Sequence, residues 1–173
     1  MNAHAFLTPA ESGATRYDTA ESPIGELLLV GDERALTGLY MTEGHRGAPP
    51  VDPAWRRDRA GFADTRAQLG AYFAGERTTF DLPLAPRGTE FQLRVWSALL
   101  DLPYGTTASY RSVAEMVCTA RAARAVGTSN ARNPICVIVP CHRVVTSGGG
   151  LGGYAGGLER KRALLELEAA GRN

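Results

Sequence analysis

The stretch SYRSVAEMVCTARAARAVGTSNA, residues 109–131, decides the architecture. Ser109 can accept a backbone N–H at the start of a helix whose Val113, Met116 and Val117 follow at helical spacing. A short break near Thr119 leads into a second helix from about Arg121 to Ala131. Two short helices joined by a tight turn suggest a helix-turn-helix, although many helix pairs are only packing units. Ala122, Ala123, Ala125, Gly127 and Ser129 would let the second helix approach a nucleic acid closely, and small residues serve helix packing equally well. Upstream, Thr89 can cap a helix that places Phe91, Val95 and Leu99 on one face and ends at Pro103-Tyr104-Gly105. Downstream, a last helix from Leu158 to about Ala169 is expected to bring Leu158, Leu165 and Glu168 to a common side.

The first half of the chain has a different rhythm. Leu27–Val30 and Leu36–Met41 are short apolar runs separated by Gly31-Asp32-Glu33, the pattern of a hairpin. Two glycines and three prolines between Gly44 and Pro53 mark a loop. Phe62, Leu69, Tyr72 and Phe73 fall on one helical face, with Gly75 placed to stop the helix. The sequence therefore divides into a tail at 1–14, an α/β domain at 15–82, a proline-rich linker at 83–88 and a second domain at 89–173. No internal repeat or low-complexity tract is present.

The chemistry sits in Pro140-Cys141-His142-Arg143-Val144, which follows the apolar run Ile135-Cys136-Val137-Ile138-Val139. A buried strand is expected to end there in a turn, since Pro140 cannot donate to a sheet ladder. A thiolate is a soft nucleophile, and neighbouring His and Arg favour the ionised sulfur. Against this, adjacent strand residues point to opposite faces, and a Cys closing an apolar run is as often a small buried hydrophobe.

Composition removes several classes. With 173 residues, 44% of them hydrophobic, the chain can bury a real core. No stretch approaches the roughly 20 consecutive apolar residues of a membrane span, and the first twenty residues lack a signal peptide pattern. A cytoplasmic protein is expected. Cys118, Cys136 and Cys141 form no CxxC pair, and no cysteine neighbours His4 or His45 in sequence, so no metal site is expected. Net charge is +1, yet residues 110–157 hold Arg111, Arg121, Arg124, Arg132 and Arg143 against Glu115 alone, a local +4 that suits phosphate attraction. Because 18 of the 19 basic residues are Arg, a codon bias would produce the same count.

Beyond these local readings, the order Pro103-Tyr104-Gly105-Thr106-Thr107, Ser109-Tyr110-Arg111, Ala123-Arg124-Ala125-Val126-Gly127, Asn133-Pro134, Pro140–Val144 and Gly153–Gly157 resembles the methylated-DNA:protein-cysteine methyltransferases, the O6-alkylguanine-DNA alkyltransferases. The likeness is dense over the last half, and Ser22-Pro23-Ile24-Gly25 adds to it. It implies an α/β fold: a small N-terminal ribonuclease H-like domain followed by a helical domain with a helix-turn-helix, winged-helix-like. It implies double-stranded DNA containing O6-alkylguanine as the partner, with no cofactor, membrane or obligate protein partner, and with the target base flipped out of the stack.

By that likeness Cys141 is the alkyl acceptor, His142 a base acting through water, Glu168 its orienter and Asn133 a brace for the turn. Arg124 fills the vacated space, Tyr110 displaces the adjoining phosphate, and Ala123, Gly127 and Arg132 lie on the DNA-facing helix. Tyr110, Val144, Tyr154, Ala155 and Gly156 line the base pocket, with carbonyls of Cys141 and Val144 reading the exocyclic amine. Ala155 stands where many relatives carry serine, so only its backbone N–H can contribute. A thioether at Cys141 has no evident route back, so each molecule should act once. A lesion-binding relative without an acceptor, a cysteine hydrolase, and a sequence-specific regulator are the rival readings; turnover separates the second, and sequence preference the third.

Overall fold

The computed structural model describes residues 6–10 and 13–171. Four strands form the first layer: β1 (Arg16–Ala20), β2 (Leu27–Gly31), β3 (Leu36–Met41) and the two-residue β4 (Arg56–Arg57), in the order β3-β2-β1-β4. The expected hairpin is β2–β3, antiparallel, with Leu29 opposite Leu39. Its turn is closed by Asp32, whose carboxylate accepts the backbone N–H groups of Arg34 (2.7 Å) and Ala35 (3.0 Å).

Neither β1 nor β4 is evident from the sequence. In β1 the residue that points fully inward is Asp18, an acid where alternation leads one to expect an apolar side chain. Its carboxylate is occupied by Arg57 Nε (3.1 Å) and by Arg66, so the buried charge is paired rather than abandoned.

The helix α1 (Ala63–Phe73) sends Leu69 and Tyr72 into the core beside Leu27 and Leu29. It stops as expected at Gly75, whose φ of 74° lets the N–H groups of Gly75 and Glu76 turn back to Tyr72 and Ala71. Thr89 and Gln92 form a reciprocal capping box at the start of α2 (Glu90–Leu100). The two-residue β5 (Ala108–Ser109) leads into α3 (Tyr110–Val117), where Ser109 accepts the Ser112 N–H, and a single 3-10 turn at Ala120–Ala122 precedes α4 (Ala123–Ala131). The expected pair of short helices is present. Met116, expected on the packed face, is instead 38% exposed, and Ala114 is buried beside Val113. Trp96 Nε1 donates to the Ser129 carbonyl at 2.8 Å and fastens α4 to α2.

The parallel pair β5 and β6 (Val144–Val145) sets Ala108 opposite Val144 and Ser109 opposite Val145. The last helix, α5 (Leu158–Ala170), buries Lys161, Leu164 and Glu168. The expected common side of Leu158, Leu165 and Glu168 is therefore corrected: Leu158 is 49% exposed and Leu165 half-buried. The spacing i, i+3, i+7 runs through a lysine and a glutamate, which an apolar pattern does not reveal.

Two segments cover the outer edge of β3, which would otherwise present unpaired backbone groups. At one end the Leu36 N–H donates to the Pro83 carbonyl (2.9 Å) and the Ala85 N–H to the Leu36 carbonyl (2.8 Å). The segment expected as a linker at 83–88 is thus bound to the sheet at its start. At the other end Leu39 donates to Pro134 (2.8 Å) and accepts from Cys136 (3.1 Å). Of the expected tail, residues 1–5 and 11–12 lie outside those described. Within it the Leu7 N–H donates to Leu84 at 2.8 Å and Arg87 donates to the Ala10 carbonyl at 3.0 Å. One continuous apolar cluster runs from Leu27 and Tyr72 through Leu99 to Val139 and Leu164. No described helix is long and apolar enough to cross a membrane.

Candidate active site

The run Ile135–Val139 is not the strand that its composition suggests. Only Ile135 bridges, to Leu39, and the chain then folds on itself: Ile138 N–H to Cys136, Val139 to Ile135, Cys141 to Val139. Val137 takes a φ of 71°, a left-handed conformation that costs a β-branched residue strain. Asn133 holds this coil. Its Oδ1 accepts the Ile135 N–H (3.0 Å) and its Nδ2 donates to the carbonyls of Val139 (2.8 Å) and Ile135 (3.4 Å). Five apolar residues that are buried all round give neither a period of two nor one of 3.6, so the sequence alone does not separate this turn from a strand.

Cys141, His142 and Arg143 then form one 3-10 turn, all three buried. The Cys141 thiol is held below its usual range by the influence of Cys136, against its burial, and further by Asn133 and by the Lys161 ammonium. Lys161 is fully buried, donates to the carbonyls of Val144 and Gly153, and is pushed down to about 8 by burial. Asn130 Nδ2 donates to the Cys141 carbonyl at 3.2 Å.

His142 turns toward Glu168, with Nε2 2.7 Å from Oε1. A carboxylate there accepts, so Nε2 carries the proton and Nδ1 keeps its lone pair. Nδ1 is buried without a hydrogen-bond partner among the described residues. Burial holds the imidazole below its ordinary value, although Glu168 pulls the other way. Glu168 also receives Arg143 Nε at Oε2 and Nη2 at Oε1 (both 2.9 Å), the Tyr72 hydroxyl at 2.7 Å and the Gly105 N–H at 3.0 Å. Against its burial, the hydrogen bonds and charges of His142 and Arg143 keep its carboxyl well below the usual range.

The β5–β6 pair sets Tyr110 beside this turn. Its hydroxyl reaches the Gly153 carbonyl at 3.5 Å, and its ring packs on Gly127 of α4. Gly152, at φ 67°, passes so close that a Cβ there would stand 2.7 Å from the hydroxyl. Val144, Ala155 and Gly156 are buried nearby, the Ala155 carbonyl accepting the Arg46 N–H (3.0 Å) and that of Gly156 accepting Arg160 (3.0 Å). The Tyr154 hydroxyl is buried without a partner among the described residues.

Ala123 and Gly127 are half-buried on α4, whereas Arg124 and Arg132 are exposed. The basic face is smaller than the sequence count. Arg143 is buried against Glu168 and drops out of it. A cleft of about 450 Å³ lies behind the turn, lined by Phe80, Leu102, Tyr104, Ile138 and Arg143 but not by Cys141.

Sequence reasoning missed Tyr72, Asn130, Lys161 and the inward turn of Arg143. One signal was available: Lys161 is the single lysine among 18 arginines. Where arginine is otherwise the rule, a lysine marks a place that needs a compact ammonium.

A family model described as the DNA binding domain of 6-O-methylguanine DNA methyltransferase matches residues 90–170, and one described as its ribonuclease-like domain matches residues 15–86. The chain is 53% identical to a methylated-DNA–protein-cysteine methyltransferase of Mycobacterium tuberculosis over 152 residues, 88% of this chain and 91% of that one. It is 48% identical to the protein of that name from Methanosarcina barkeri, over 88% and 96%. Among solved structures, an M. tuberculosis O6-methylguanine methyltransferase superimposes with a TM-score of 0.82 at 49% identity, covering 92% of this chain and 95% of the other. M. tuberculosis OGT in complex with DNA gives 0.83 at 51%, over 90% and 94%.

Proposed function

Because the chain belongs to the 6-O-methylguanine DNA methyltransferase family, we propose that it repairs DNA directly, moving the alkyl group of O6-alkylguanine onto Cys141 in a reaction each molecule performs once. The observation that carries this reading is the His142–Glu168 pair, enclosed beside a buried thiol and leaving His142 Nδ1 as an unpartnered lone pair.

The Cys141 proton passes to His142 Nδ1 through water, and Glu168 stabilises the imidazolium. The sulfur then attacks the alkyl carbon in line. The S–C bond forms as the C–O6 bond breaks, and guanine leaves with the electron pair. Charge gathering on the purine is met by the Tyr110 hydroxyl near N3, and by the backbone N–H of Ala155 at O6. Carbonyls of Cys141 and Val144 read the exocyclic amine. Every atom the transfer needs is in the protein, the lesion or water, so no cofactor is invoked. Asn133 and Lys161 keep the turn and the facing loop in register.

A buried sulfur cannot reach a base inside a duplex, so the nucleotide must be extruded. Arg124, exposed on α4, takes the vacated space, and the small residues Ala123 and Gly127 let α4 come close, with Arg132 at its end on the backbone. O4-alkylthymine, with a similar alkoxy group, is a second substrate. The resulting thioether is a poor leaving group, which limits the protein to one event.

The test is intact and peptide mass spectrometry after mixing with duplex DNA containing O6-methylguanine, with Cys141→Ser in parallel. One methyl group per chain, on the Cys141 peptide and absent in the variant, is expected. DNA bound with no change in mass would reduce the protein to a lesion binder, and many demethylated guanines per chain would make it a turnover enzyme.

A further inference from the structure

The Ser22-Pro23-Ile24-Gly25 motif has no part in the scheme above, and it lies in the half of the chain that does not hold the thiol. It forms a closed turn before β2. The Gly25 N–H donates to the Ser22 carbonyl (3.0 Å), the Ser22 hydroxyl donates to the Gly25 carbonyl (2.6 Å), and Ser22 Oγ accepts the Ile24 N–H (3.3 Å). The Ile24 carbonyl receives Arg160 Nε at 2.7 Å, across 136 residues of sequence. The same guanidinium donates through Nη1 to the Gly156 carbonyl at 3.0 Å. It passes between Gly25 and Gly44, where added Cβ atoms would stand 3.5 and 3.4 Å from its terminal nitrogens. A planar fork of donors holds two acceptors in fixed directions, which a single ammonium does less well.

Arg160 and Lys161, adjacent near the start of α5, therefore grip opposite ends of the 153–157 loop. Lys161 ties Gly153 to Val144 within the half that holds the thiol, and Arg160 ties Gly156 to the other half. The middle is held from the loop after β3. There the Arg46 N–H donates to the Ala155 carbonyl (3.0 Å), and His45 Nδ1 accepts the Met41 N–H (3.3 Å). Little slack lies behind the loop: a Cβ on Gly156 would stand 2.8 Å from Sδ of Met41, which is fully buried.

In the reaction proposed above the Ala155 N–H meets O6, so the alkyl carbon lies against this loop and a group larger than methyl must push it outward. We propose that Arg160 is a specificity-determining positioning residue: by tying the 153–157 loop to the 22–25 turn, it keeps the alkyl site narrow and selects methyl over bulky groups such as benzyl. Arg160 acts through the loop and not on the reacting atoms. Outward movement breaks its bond to Gly156 and that of Arg46 to Ala155, leaving buried carbonyls unpaired. A methyl group does not incur that penalty.

This inference rests on the repair reading, and its test separates the two. The full chain is mixed in single-turnover reactions with duplex DNA carrying O6-methylguanine or O6-benzylguanine, and the mass of the Cys141 peptide is followed in time. The wild type, Arg160→Met, Arg160→Lys and Ser22→Ala are compared. The wild type is expected to take methyl at least about tenfold faster than benzyl, the scale on which a shaped pocket discriminates. A benzyl carbon is no less reactive toward a thiolate than a methyl carbon, so chemistry alone does not produce that order. In Arg160→Met, methyl transfer slows while the benzyl-to-methyl ratio rises about tenfold. Arg160→Lys, which keeps a donor for one carbonyl, lies between, and Ser22→Ala shifts the ratio the same way by less. Both rates scale with the folded fraction, so their ratio does not depend on it. A wild type that takes both groups equally fast, or a ratio unmoved in Arg160→Met, overturns the inference, since equal slowing marks a merely structural arginine. Should Arg160→Met fail to fold, an unmoved ratio in Ser22→Ala overturns it instead. Methyl transfer by the wild type with an unmoved ratio leaves the repair reading standing, whereas transfer of neither group removes both.

Discussion

Among the described residues two carboxylates, Asp18 and Glu168, are fully buried, and they are used differently. Asp18 in β1 meets Arg57 and Arg66, but Arg57 remains 59% exposed, so the positive end of that network reaches water. Glu168 in α5 meets His142 and Arg143, whose side chains are 0% and 8% exposed, and takes further bonds from Tyr72 and Gly105. The first joins β1 to β4 and α1 within one half of the chain. The second gathers α1, the loop after α2, the nucleophile turn and α5 at a single carboxylate. A guanidinium that can swing to solvent limits the damage when its partner is lost; an enclosed one cannot.

That contrast is broken most severely by Glu168→Gln, which leaves Arg143 buried without a counter-charge. A loss of about 3–5 kcal/mol in denaturant unfolding is expected, with methyl transfer falling to a small fraction of wild type. Acid sharpens the same point. The Glu168 carboxyl is depressed in the folded state, so its contribution is whole above the unfolded value near about 4.3 and drains away as pH falls below it. His142 is also lowered. The unfolded imidazole therefore binds a proton first, and stability starts to fall as pH drops below about 6.5. Melting temperature measured against pH should show both limbs, and Glu168→Gln should lack the lower one.

Tyr72→Phe removes one hydrogen bond to a charged acceptor and should cost about 1.5–3 kcal/mol, slowing transfer because Glu168 is less firmly placed. Asp18→Asn should cost less, about 1–2 kcal/mol, and leave the transfer rate of the folded fraction unchanged; a slowed rate would merge the two networks into one. At the small end, Arg124→Ala should leave the melting point where it is while weakening retention of lesion-containing duplex in a gel-shift titration.

How far these features were legible follows from what each residue does. The capping box at Thr89, the stop at Gly75 and the β2–β3 hairpin are local, and their side chains announce them. Asp18 hides β1, because a buried ion pair needs two partners 39 and 48 residues away. The turn at 133–141 is hidden for the opposite reason: its apolar residues are uniform, and the geometry comes from the single amide of Asn133. Cys141 and His142 could be singled out from chemistry, Glu168 only from resemblance. Arg143 was read as surface charge, since nothing local shows a guanidinium turning inward.

The bridge between Leu39 and Ile135 also bears on the order in which the chain is made. The strand at the sheet edge that receives the nucleophile turn ends at Met41, 100 residues before Cys141. Domains generally fold as units from the N-terminus during synthesis. The turn thus emerges onto an edge already built, and the reactive thiol is assembled against a finished template.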